Sequence, residues 1–135
     1  MNTTYFLNCT SGNIFKTKTD VALPTNYYIG LSTTAPNSDG SGVSEPNSDF
    51  GYARVELDSL SEPENGAVTN TNAISFEEST NSWGVVTHFV IYDNPTVGEG
   101  NLLMYGALST PRSVETATIM TIKEGNLNLS VQNPA

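Results

Sequence analysis

Two side chains in this sequence could do nucleophilic or acid–base chemistry with little help, and each is the sole member of its kind: His88 and Cys9. A histidine acting as general base needs a nucleophile or a second carboxylate within hydrogen-bond reach. His88 instead stands in the middle of an apolar run, VVTHFVIYD, between Thr87 and Phe89, which reads as a structural histidine. One His and one Cys fall short of a zinc ligand set. Cys9 has no partner for an intrachain disulfide, and its surroundings, LNCTSG, supply no base.

The remaining reactive groups are carboxylates, fourteen Asp and Glu against five Lys and Arg, for a formal charge of -9. Asp39, Glu45 and Asp49 share one long polar stretch. Oxygen ligands from such a stretch could bind calcium, but their spacing misses the alternating acidic pattern of a calcium loop. A hydrated loop is the plainer reading. Glu77-Glu78 could form half of a glycosidase pair, yet a chain with fourteen acids offers many such pairs by chance. No cofactor is expected, because the chain has no phosphate-cradling glycine loop, no dinucleotide fingerprint and no Cys-x-x-Cys. Lys16, Lys18, Arg54, Arg112 and Lys123 are scattered apart from the first pair, so neither nucleic acid nor an anionic membrane is an expected partner. No stretch approaches the eighteen apolar residues of a membrane span.

Trp83 has two readings. Beside Gly84 it suits a packing anchor; exposed, it could stack on a sugar, with Asp39 and Asp49 supplying polar contacts.

The elements that must position these residues read as strands. NYYIGLST (26–33) follows Pro24 and is rich in aromatic and β-branched residues. YARVEL (52–57) alternates, with Tyr52, Arg54 and Glu56 on one side and Ala53, Val55 and Leu57 on the other. One row should face the core and the other solvent. AISFE (73–77) is a short strand. Residues 85–93 are apolar on both faces, which predicts a central strand ended by the turn Asp93-Asn94-Pro95. Residues 102–108 form the next strand, and Ser109-Thr110-Pro111 should end it. Segments 114–122 and 127–131 read as a closing hairpin around Glu124-Gly125-Asn126. The opening TTYFLNCTSGNIF admits a strand or a turn or two of helix, with Gly12 opposing a long one.

These elements predict an all-β fold, an antiparallel β-sandwich of about seven or eight strands with Greek-key or jelly-roll connections. Residues 1–25 would be an N-terminal arm or attachment segment, and 26–135 the sandwich domain with its long loop at 34–51. An apolar fraction of 37% has two readings, a thin core with long polar loops or burial completed against copies of the chain itself.

Several pieces, in order, resemble a family of phage tail-fibre or minor virion structural proteins, small and β-rich, from tailed phages and prophages. They are YYIGLSTTAPNSDGSG, FGYARVEL, NTNAISFEESTNSWGVVTHFVIYD, NLLMYGAL and GNLNLSV, spanning roughly 26–131. The resemblance implies scaffold motifs and no catalysis: Gly51, Tyr52 and Arg54 in the first block, Trp83, Gly84, His88 and Asp93 in the second, and 102–108 in the third. It implies a non-enzymatic virion component of the tail fibre or baseplate, made in the bacterial host cytoplasm. Its partners would be copies of itself, a trimer first, and other virion proteins. A host-attachment module binding cell-surface glycan and a capsid decoration protein are the alternatives. Relatives open more helically, whereas Gly12 interrupts the opening here.

Overall fold

The computed structural model describes residues 1–15 and 24–130; Lys16, Lys18 and the predicted strand end at Val131 lie outside them. The chain runs α1 (Thr4–Phe15), β1 (Tyr28–Ser32), a 3-10 turn (Ser48–Phe50), β2 (Val55–Glu56), β3 (Ala67–Thr69), β4 (Ile74–Ser75), β5 (Gly84–Tyr92), β6 (Leu102–Val114), β7 (Thr121–Ile122) and β8 (Asn128–Ser130). The strands form one four-stranded sheet, ordered β2-β1-β5-β6, and two separate pairs, β3-β8 and β4-β7.

This corrects the expected all-β sandwich. The fold is mixed α/β, with eight short strands in three separate, unclosed sheets beside a genuine helix among the described residues. A sandwich needs a second sheet broad enough to face the first. Here the opposing strands are only two or three residues long, too short to join laterally. The predicted closing hairpin is also absent: β7 pairs with β4 and β8 with β3. β3 itself, Ala67–Thr69, lies in a stretch that reads as a polar connection.

The helix forms against its own propensity. Thr3 caps it, its Oγ1 accepting from Phe6 N at 3.2 Å and its carbonyl from Leu7 N at 3.0 Å. An interior glycine such as Gly12 costs about 1 kcal/mol. Burying Phe6 and Cys9, 5% and 4% exposed, more than offsets this, since one fully buried large apolar side chain stabilises by roughly 1.5–3 kcal/mol. Tertiary packing therefore decides the helix. Ahead of it, Asn2 bridges to Met104, and Thr3 N donates to Leu103 O at 2.8 Å, so the chain start lies along the edge of β6.

β5 is hydrogen-bonded on both sides, to β1 and β6. Strict alternation along it fails at one place. Val86 and Ile91, of opposite parity, lie in the same core cluster, because the register with β6 shifts between Val86 and His88. Across that shift, Leu108 to Pro111 stand opposite the single Thr87. The expected break at Pro111 is thus absorbed as a bulge inside one long strand, where a missing N–H costs no ladder bond.

The main core lies on one face of the large sheet, uniting Phe6, Ile29, Ile74, Trp83, Leu103, Ile122 and Leu129. The other face is covered by the 34–51 segment, whose Val43 packs on Val90, Tyr92 and Leu102. Pro36 and Pro46 of that segment are themselves buried.

Candidate functional site

Four side chains with polar groups converge beneath this cover: Glu45, Tyr52, Arg54 and Tyr92. Residues 52–57 place Tyr52 and Arg54 on one side, and alternation alone does not say which side faces the core. The 34–51 segment folds over that row, leaving Tyr52 and Arg54 2% and 7% exposed while Ala53 is exposed. Arg54 grips Glu45 with two bonds, Nη2 to Oε1 at 2.6 Å and Nε to Oε2 at 3.0 Å. The opposite end of the guanidinium donates through Nη1 to the Asn94 and Glu99 carbonyls, at 2.7 and 2.8 Å. Its carbon lies 3.6 Å from the centroid of the Tyr92 ring, a cation–π contact. The Tyr52 hydroxyl donates to Glu45 Oε2 at 2.6 Å and accepts from Leu31 N at 2.9 Å. Gly30 makes room for this: a Cβ there would run into the Tyr52 hydroxyl and stand 2.9 Å from Glu45 Oε2.

The electrostatics follow from the burial. Desolvation, then the adjacent Glu45 carboxylate, push the Tyr52 phenol far above its ordinary value. The same two causes raise Tyr92, partly opposed by Arg54. The polar atoms of Glu45, Tyr52 and Arg54 bond to one another and to backbone groups of neighbouring segments, so the cluster braces loops.

A second cluster adjoins it. Trp83 is 5% exposed. Its ring meets Tyr52 edge-on at 5.4 Å, and Nε1 donates to Phe50 O at 2.9 Å. Tyr52 also stacks on Phe76 at 6.3 Å. Gly51 turns the chain at φ +84°, and a Cβ there would stand 2.7 Å from the Glu78 carbonyl. Gly84 has a positive φ of +81° with open space around it.

The structure thus joins Gly51, Tyr52, Arg54 and Trp83 in one braced region. Asp93 stands apart, closing the β5–β6 turn by accepting from Asn101 N at 2.7 Å and Asn101 Nδ2 at 3.1 Å. His88 is half-buried in β5, its Nδ1 2.8 Å from Thr87 Oγ1. Asp39 and Asp49 are exposed. Asp39 accepts from Ser41, which holds its carboxyl below the ordinary value. Among the described residues, no group of three or more His, Cys, Asp and Glu could hold a metal ion, and no helix is long and apolar enough to cross a membrane.

Three structural polar residues escape sequence reasoning. Glu45 reads as a loop acid, yet it is the carboxylate at the centre of the main cluster. Asn70, 2% exposed, donates to the Asn72 and Lys123 carbonyls and accepts from Leu127 N, tying the β3–β4 link to the β7–β8 turn. Ser79, equally buried, bonds the Glu115 and Thr118 carbonyls and the Thr118 amide. The one usable signal is Arg54 itself, a cation in an alternating strand that calls for an acidic partner.

A family model described as Podophage GP4 fiber I protein gp80 matches residues 3–130. The chain belongs to this family. The match runs from the helix cap at Thr3 to the last strand, so the fibre I family covers the helix, all three sheets and both side-chain clusters. A member of the fibre I family is a phage structural protein, associated with the virion. No curated protein matches the sequence.

Proposed function

We propose that the protein is a non-enzymatic component of the tail fibre or baseplate that works as a homo-oligomer, with a trimer as the favoured order. The observation that carries this reading is the fibre I family match across residues 3–130. The internal use of its polar clusters supports it: Arg54, Glu45 and Tyr52 bond to one another and to loop carbonyls. Exposed apolar side chains at the end of α1, Ile14 at 64% and Phe15 at 74%, support a contact with a second protein there. This agrees with residues 1–25 serving as an attachment segment to other virion proteins.

Light scattering coupled to size exclusion, on the full chain over a concentration series, tests the proposal. The expected result is a mass of three chains that persists on dilution. A monomer at all concentrations would overturn self-assembly and leave a subunit completed by a different virion protein.

A further inference from the structure

Arg54 divides its bonds between two segments far apart in sequence. Two go to Glu45, in the strap of residues 34–47 that crosses the sheet, and two to the Asn94 and Glu99 carbonyls, in the turn of residues 93–101. Its side chain is fully enclosed and the Glu45 side chain is 7% exposed.

The other bonds of these segments do not join strap to turn: Glu45 of the strap also accepts from the Tyr52 hydroxyl at 2.6 Å. The strap bonds to the end of β1 through Thr33 N to Ser44 O at 2.9 Å and Ser44 N to Ser32 Oγ at 3.1 Å, and to α1 through Thr4 N to Ser38 O at 3.0 Å. The turn bonds within itself, Asn101 N to Asp93 Oδ1 at 2.7 Å and Thr96 N to Asn94 Oδ1 at 2.8 Å. A cleft of about 540 Å³, lined by Gly40, Ser44, Tyr92, Gly98 and Gly100, separates their outer parts.

We propose that Arg54 is a clasp that makes the strap and the turn one cooperative unit, opening and closing together while the large sheet stays folded. The physical reason is the cost of an orphaned charge. If the strap lifts, Glu45 leaves and the guanidinium remains enclosed without its counter-charge, which is strongly unfavourable until water reaches it. Water reaches it when the turn also swings away. If the turn opens first, Arg54 loses two carbonyl acceptors and its contact with the strap is hydrated and weakened. Each segment therefore opens at lower cost once the other has opened. Tyr52 stays behind as the fixed seat of the clasp, held by the Leu31 amide and the aromatic cluster.

Native-state hydrogen exchange on the full-length protein tests this. In the wild type, the Ser44 amide of the strap, the Thr33 amide that bonds the Ser44 carbonyl and the Asn101 amide of the turn should share one opening equilibrium, with Ile29 and Ile91 in the sheet far slower. In Arg54→Lys, which keeps the charge but loses the planar fork, strap and turn should both exchange faster by about tenfold or more, with Ile29 and Ile91 unchanged. Acceleration confined to one segment, or shared equally by Ile29 and Ile91, overturns the proposal. Should Arg54→Lys not fold, the wild type decides alone: protection at Ser44 and Asn101 differing by more than about tenfold would rule out a common opening.

Discussion

At the residue scale, Trp83 and Tyr52 show how one aromatic cluster joins packing to polar satisfaction. Trp83 is buried with its N–H bonded to the Phe50 carbonyl. Replacing it with Ala should cost about 3–5 kcal/mol, because the surroundings collapse only partly into the space left. Trp83→Phe keeps much of the packing and removes one of the two donors to the Phe50 carbonyl, which keeps the Thr80 amide at 2.9 Å, and should cost only about 0.5–1.5 kcal/mol. Urea unfolding midpoints separate the two; an unchanged midpoint for Trp83→Phe would mean that the indole N–H contributes nothing, and losses equal to those of Trp83→Ala would mean that the ring packing contributes nothing beyond it. Tyr52 makes a pH prediction. Burial and Glu45 raise its folded-state value above the ordinary 10.0. Above about pH 10 the unfolded chain has released the phenolic proton while the folded chain still holds it, so the unfolded state binds fewer protons and stability falls as pH rises. The stabilisation is fully present below that point and is lost progressively above it. The melting temperature should therefore drop from about pH 10 upward, and Tyr52→Phe should make that drop shallower. Tyr27 and Tyr92, shifted the same way, keep it from vanishing.

At the element scale, α1 depends on the residue that caps it. Thr3 is 1% exposed. Its hydroxyl caps the helix by accepting from Phe6 N and donates to the Leu102 and Leu103 carbonyls at 2.6 and 3.1 Å. Thr3→Ala should cost about 1–3 kcal/mol, the sum of a lost cap and a buried carbonyl left short of a donor. Thr3→Ser, which keeps the hydroxyl, should cost less than about 1 kcal/mol. Thermal melts of both variants decide it, and a Ser variant as damaged as Ala would show that the methyl group matters more than the bonds. β6 makes a parallel point. Its Pro111 is an interruption in sequence terms, but the bulge opposite Thr87 removes the need for an N–H there, so the strand continues to Val114.

At the scale of the whole molecule, three small sheets and a helix share one core. Phe6 of α1, Ile29 of β1, Ile74 of β4, Ile122 of β7 and Leu129 of β8 lie in the same cluster as Val86 and Leu103 of the large sheet. The short pairs are too small to be stable alone, so their stability is borrowed from that cluster. Unfolding should therefore be one cooperative transition, with the helix signal in far-ultraviolet circular dichroism and Trp83 fluorescence changing at the same urea concentration. A helix that melts ahead of Trp83 would show that α1 is an independent unit.

Local chemistry was enough to identify much of this protein. The apolar run through residues 85–93 predicts a strand covered on both faces and therefore central, and β5 is paired with β1 and β6. The spacing of Gly51, Tyr52, Arg54, Trp83 and Gly84 carries the fibre-family likeness, because tight turns and aromatic anchors demand particular residue types. The scarcity of His and Cys limits the available chemistry in the same direct way. The layer architecture was not legible, since it depends on contacts between segments far apart in sequence. Nothing in 34–51 shows that Glu45 will reach Arg54, because that pairing comes from a strap folding across a sheet. Nothing in TTYFLNCTSGNIF favours a helix until Thr3 is seated on β6 and Phe6 is buried. The short strands β3, β4, β7 and β8 carry too few residues for a pattern, and only their long-range partners make them strands. Tertiary structure decided the mixed fold because burial of a few side chains outweighs local propensities of about 1 kcal/mol or less per residue.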